Sequence, residues 1–169
     1  MKNAWLLARA EPKSKEELDS WSADAVANLV DTPSAAEDIE KEAVSAGKLK
    51  VLGEFPVQPI CRGDCTADDC KQMGRFVAWA DAALTHGYRV VVHCRHGQHR
   101  TGVAIYILLR WIIGSPSLCF DIMEKMRPVM LSELRRNARH RHLCGKAESI
   151  FADSRFRDAL SLAQRCYRL

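Results

Sequence analysis

Two periodicities alternate along the chain. Short apolar or β-branched runs at Trp5–Ala8, Ala25–Val30, Lys48–Phe55 and Val90–Val92 read as strands. Between them, apolar positions recur every three or four residues. The stripe Met73, Phe76, Val77, Ala80, Ala83 and Leu84 predicts a helix that opens at Thr66 with Asp69 three positions on and ends near Gly87. Ser14 with Glu17 predicts a short helix near the start. Asp31-Thr32-Pro33-Ser34 is turn and cap chemistry ahead of a helix over about 35–46, with Gly47 at its C-terminal cap. The Cys61–Asp69 segment, entered through Pro56 and Pro59, reads as a loop. Val103–Leu109 predicts a long helix to about Ile113, broken by Gly114 and Pro116, and the next helix stops near Met126 ahead of Pro128. Two more helices, roughly 130–143 and 147–166, finish the chain.

Strands alternating with helices, followed by a run of helices, predict an α/β fold: a short, largely parallel central sheet flanked by helices, with a helical C-terminal third. A length of 169 residues suits one domain over residues 1–169, with a core at about 22–128 and the C-terminal helices at about 130–166.

Composition supports an ordinary globular domain, with 47% hydrophobic and 27% charged residues and no repeat or low-complexity tract. Trp5-Leu6-Leu7-Ala8 is too short an apolar run for a signal peptide. The longest spanning candidate, Val103–Ile113, carries Arg110 and falls short of the ~20 apolar residues a bilayer requires. The expectation is a cytoplasmic or nuclear monomer without a membrane span. Seven cysteines, an odd number in a chain of this size, argue for free thiols over a disulfide framework. The net charge of +4 is unevenly placed: residues 1–60 hold 7 Lys/Arg against 11 Asp/Glu, whereas residues 135–169 hold 9 against 3. The basic end includes Arg135-Arg136-Asn137-Ala138-Arg139-His140-Arg141-His142, which is spread around a helix and lacks interleaved aromatics. It reads as a solvated face, and no stable nucleic-acid binding is expected.

The candidate chemistry lies at the strand-to-helix turn His93-Cys94-Arg95-His96-Gly97-Gln98-His99-Arg100-Thr101-Gly102. Such a turn aims backbone N–H groups and the positive end of a helix dipole into one concavity, which favours an anion. The guanidinium of Arg100 forks two phosphate oxygens, and Cys94 lies beneath the phosphorus as a thiol whose ionisation the same positive surroundings promote. A metal site is the rival reading, since His93, Cys94, His96 and His99 offer ligands and Cys61, Cys65 and Cys70 add three. Neither set contains a paired CxxC knuckle, so no metal and no cofactor is expected.

His93-Cys94-x-x-Gly97-x-x-Arg100-Thr101-Gly102 resembles the HCxxGxxR(S/T)G signature of cysteine-dependent protein tyrosine and dual-specificity phosphatases. The order of elements from about Val26 to Met126 is similar to that of the small atypical dual-specificity phosphatases. The resemblance implies hydrolysis of phosphate monoesters through a phosphocysteine. Cys94 would be the nucleophile, Arg100 would hold the equatorial oxygens, and Thr101 would assist the sulfur as it leaves. It further implies that His93 orients the loop and that Gly97 and Gly102 permit close backbone approach and tight helix packing. A proton donor is implied about thirty residues ahead of the cysteine, where Asp64 stands; Asp68 and Asp69 are nearer the helix start, where acids are favoured by the dipole alone.

Arg95, His96, Gln98 and His99 are the candidate substrate contacts. Their cationic character suits a phosphorylated protein or a polyphosphorylated small molecule such as a phosphoinositide, an inositol polyphosphate or an RNA 5′-triphosphate. Gln98-His99-Arg100-Thr101-Gly102 also resembles the KHRTG ending found in plant and fungal atypical phosphatases associated with inositol pyrophosphates, with Gln98 in place of the lysine. Two alternatives stay open: a phosphate-binding adaptor with weak turnover, and a reversible disulfide between Cys94 and Cys65 or Cys70.

Overall fold

A computed structural model describes residues 4–58, 66–126 and 138–167. Four strands, β1 (Trp5–Ala10), β2 (Ala25–Asn28), β3 (Val51–Glu54) and β4 (Arg89–Cys94), form one sheet in the order β1-β4-β2-β3 with every pair parallel. The connections are α1 (Lys15–Ser20), α2 (Ala35–Ser45) and α3 (Ala67–Thr85). After β4 come α4 (His99–Ile113), α5 (Pro116–Met126), α6 (Ala138–Ala152) and α7 (Ser154–Tyr167). The α/β class and the helical C-terminal third are as the sequence implied.

The sheet separates two cores. Val90, Val92 and Cys94 of β4 and Ala25 and Ala27 of β2 face the helices α3 to α7. Val91 and Val26 face α1 and α2, where Leu18, Trp21 and Ala43 pack. Successive side chains on a strand point to opposite faces, so neighbours on β4 serve different cores. Burial on both faces explains why β4 reads as an unbroken apolar run.

The larger core depends on a close approach of α7 to α3. A Cβ added to Gly74 would lie 2.5 Å from the Phe156 carbonyl oxygen and 2.9 Å from the Leu160 nitrogen, so only glycine fits that crossing. On α4, Tyr106 and Arg110 both donate to the Glu148 carboxylate of α6, Arg110 Nε at 3.0 Å, and this fastens the C-terminal helices to the helix that follows the cysteine turn.

One boundary differs from the sequence reading. The break expected between 143 and 147 falls at Asp153, whose carboxylate accepts from the Arg155 N–H at 2.8 Å and from its side chain, starting α7 there. Gly145 is accommodated inside α6, at a helix-propensity cost of about 1 kcal/mol relative to alanine. The expected start of the preceding helix, near 130, lies outside the described residues.

Candidate active site

The carboxyl ends of β4 and β2 and the first turn of α4 converge on Cys94. The chain leaves β4 at Cys94, turns with Gly97 N–H donating to the Cys94 carbonyl at 3.2 Å, and enters α4 at His99. Gly97 has φ +63°, a left-handed conformation that a side chain would strain. Gln98 precedes α4 without capping the helix by its side chain, so the N–H groups of the first turn stay directed at the loop. Gly102 is buried at the next turn, but an added Cβ would meet nothing within 4 Å; the tight packing expected of it is not required among the described residues.

Cys94 is 4% exposed. Burial pushes its thiol pKa up, yet the hydroxyl and N–H of Thr101, the charge of Arg100 and the N–H of Gln98 outweigh burial, and the net shift is downward. The Thr101 hydroxyl is buried and has no nitrogen or oxygen partner among the described residues, which leaves the sulfur as the group it serves.

Arg100 is held from one side. Its Nη1 donates to the Leu29 carbonyl at 3.3 Å, the Val57 carbonyl at 2.9 Å and the Asp31 carboxylate at 2.7 Å. Among the described residues Nε and Nη2 make no hydrogen bond, and that edge of the guanidinium is the one that forks a dianion. Of the rim residues, Arg95 and His96 are exposed, Gln98 and His99 are half-buried, and Arg95 Nη2 donates to the Thr32 hydroxyl at 2.7 Å.

Of the sequence-named residues, His93, Cys94, Arg95, His96, Gly97, Gln98, His99, Arg100, Thr101 and Gly102 all belong to this one turn. Asp64, with Cys61 and Cys65, lies outside the described residues, as does the start of the 135–142 basic segment. Asp69 is occupied by structure: Oδ2 accepts from the Thr66 N–H and hydroxyl, each at 2.8 Å, and Oδ1 accepts from the Gln58 N–H at 3.0 Å. It completes a capping box with Thr66 and ties both flanks of the 59–65 segment to one carboxylate. Asp68 is exposed on the first turn of α3. Cys70 is a buried thiol that interacts with Asp153 and Arg155 at the α6–α7 junction. Among the described residues no group of three or more His, Cys, Asp or Glu side chains is placed to hold a metal ion, and no helix is long and apolar enough to cross a membrane.

Two acids of this region escaped the sequence reading. Asp31 was read as turn chemistry; its signal would have been its place just past β2, at the same sheet edge as Cys94. Glu40 is fully buried on α2 and contacts His93. Its signal was an acid in the middle of the stripe Ala36, Glu40, Ala43, the face that α2 buries.

No family model and no curated protein matches the chain. Solved structures do. Human DUSP28 aligns over 85% of this chain and 91% of its own, at TM-score 0.60 and 17% identity. TpbA from P. aeruginosa aligns over 94% and 85%, at 0.57 and 16%, and TpbA is also known in complex with pTyr. The active form of Tk-PTP aligns over 100% and 96%, at 0.52 and 18%. The backbone that carries Cys94 and Arg100 is therefore the fold shared by the small dual-specificity and protein tyrosine phosphatases.

Proposed function

We propose that this protein is a cysteine-dependent phosphatase that hydrolyses phosphate monoesters through a phosphocysteine. The observation that carries the reading is a buried thiol shifted toward thiolate at the unobstructed N-terminus of α4, with the free edge of Arg100 beside it. The Cys94 thiolate attacks phosphorus, and the S–P bond forms as the P–O bond breaks. Arg100 and the loop N–H groups hold the equatorial oxygens throughout. Asp64 gives its proton to the leaving oxygen, then takes one from the water that attacks the phosphocysteine. As the S–P bond breaks, its electron pair returns to the sulfur, and the Thr101 hydroxyl donates a hydrogen bond to the thiolate. Neither metal nor organic cofactor enters the cycle. A burst of phenol product from an aryl phosphate with a trapped phosphocysteine would support the scheme, Cys94→Ser abolishing turnover while phosphate still binds. An intact protein inert toward small aryl phosphates from pH 5 to 8 would leave the phosphate-binding adaptor instead.

The substrate is a phosphorylated protein or a polyphosphorylated small molecule. The exposed Arg95, with the His96 ring beside it in the turn, places positive charge on the rim, where a second phosphate or an acidic neighbour of a phosphorylated residue would lie. A panel of phosphopeptides, phosphoinositides, inositol polyphosphates and triphosphorylated RNA separates these classes by kcat/KM.

A further inference from the structure

A capping box asks one carboxylate oxygen to accept from the backbone N–H of the cap residue. In Asp69 that oxygen is Oδ2, which takes the Thr66 N–H and hydroxyl at 2.8 Å each. Oδ1 is not needed for the cap, and it takes the Gln58 N–H at 3.0 Å. Only a carboxylate accepts on both sides; an asparagine would turn its NH2 toward one of these donors. Asp69 is 4% exposed, so each of its partners comes from the protein.

The Gln58 N–H belongs to the same peptide group as the Val57 carbonyl. That peptide is trans and planar, so the two groups point in opposite directions. The carbonyl accepts from Arg100 Nη1 at 2.9 Å. One rigid plane is thus clamped between the Asp69 carboxylate and the guanidinium that adjoins Cys94. The other backbone bond of Val57, from its N–H to the Leu29 carbonyl, is 3.5 Å long and holds the peptide weakly. Nη1 carries two hydrogens and meets three acceptors. The Leu29 carbonyl at 3.3 Å is the most distant of them, which leaves Asp31 at 2.7 Å and the Val57 carbonyl as the main anchors.

We propose that Asp69 is a positioning residue for phosphate binding: through the Val57–Gln58 peptide it fixes the carbonyl that anchors Arg100 Nη1, and with it the direction of the guanidinium's free edge. This rests on Arg100 being the residue that holds the phosphoryl oxygens. Hydrogen bonds linked in series polarise one another, so the amide between the two side chains binds each of them more firmly than it would bind either alone. Once the Gln58 N–H is released, the peptide can rotate and its carbonyl leaves Nη1. Asp31 is then the one short anchor, and the fork can swing about it.

The test is the affinity for inorganic phosphate at fixed ionic strength, read as protection of Cys94 from iodoacetamide. Asp69→Ala removes the acceptor and Gln58→Pro the donor of the same bond, and each should weaken phosphate roughly tenfold. Thr66→Val removes the cap hydroxyl and leaves Oδ1 in place, so its Tm should fall while its phosphate affinity matches the wild type. In an Arg100→Lys background Asp69→Ala should weaken phosphate by less than about twofold further, because the group it acts through is gone. An unmoved affinity in folded Asp69→Ala overturns the proposal; if that variant does not fold, an unmoved affinity in Gln58→Pro does so. The same loss with lysine at position 100 as with arginine overturns it too, and a tenfold loss in Thr66→Val would assign the effect to the cap instead. Protection needs no turnover, so a wild type that binds phosphate and fails to hydrolyse aryl phosphates would sink the phosphatase reading and leave this one standing.

Discussion

Arg100 and Asp31 are joined through Nη1 and Oδ1 at 2.7 Å, on the side of the guanidinium away from its free edge. The carboxylate orients the arginine, but it also places a negative charge next to the seat of an incoming dianion. Orientation and affinity are therefore opposed in one contact.

Asp31→Asn keeps an acceptor for Nη1 and removes that charge. Inorganic phosphate should then inhibit more strongly, by roughly fivefold, an energy of about 1 kcal/mol for one charge interaction at a partly exposed site. The inhibition constant of phosphate at fixed ionic strength checks this; weaker inhibition would mean that orientation is the larger effect.

Thr101→Val removes the hydroxyl that serves the sulfur while keeping the shape of the side chain. The Cys94 pKa should rise, because burial would then be opposed only by the N–H groups and Arg100. Iodoacetamide alkylation at pH 6 should slow by about three- to tenfold, and breakdown of the phosphocysteine should become the slow step. Equal alkylation rates in the two proteins would remove the hydroxyl from the account.

Asp24 joins the starts of three strands. It accepts from Arg89 Nε at 2.8 Å and from the Arg89 N–H at 3.0 Å, and it pairs with Lys50 at 2.9 Å. The Arg89 hydrogen bond leads the effects that hold its carboxyl well below the usual range, against the opposing pull of burial. A depressed folded pKa contributes stability that is present above the unfolded value near 4 and lost as pH falls below it. Asp24→Asn should therefore lower stability at pH 7 by about 1–2 kcal/mol, with the gap from wild type narrowing between pH 4 and pH 2. Urea unfolding across that range measures it; a constant gap would contradict the assignment.

Gly74→Ala forces a Cβ to within 2.5 Å of the Phe156 carbonyl oxygen, a backbone atom that cannot rotate away. Overpacking of this kind costs about 1–3 kcal/mol. Thermal unfolding should show a lower Tm, with Cys94 alkylation unchanged because the crossing lies away from the turn. An unaltered Tm would show that α7 can shift from α3 without loss.

The fold was legible where local signals and tertiary packing agree. The β4 run, the cysteine turn and the α3 stripe each carry their period over many residues, and each stands where the sequence placed it. The break at Asp153 was not legible: α6 runs through Gly145 and packs on α4, and the residues that end it show no proline or glycine. The site was legible as far as one contiguous turn could carry it. Asp31 and Glu40 approach from other elements, 69 and 53 positions from their partners Arg100 and His93, and a single chain displays no spacing rule across such separations.

Asp69 gives one last consequence. Gln58 and Thr66 hang from its two carboxylate oxygens, so the two ends that flank positions 59–65, Asp64 among them, are fixed to one side chain. Lengthening a closed loop costs little, about 0.6 kcal/mol for a doubling. Residues can thus be added or removed between Gln58 and Thr66 without disturbing the strand end and helix start that carry Cys94 and Arg100. The proposed proton donor and the nucleophile are thus carried on separately anchored stretches of the chain.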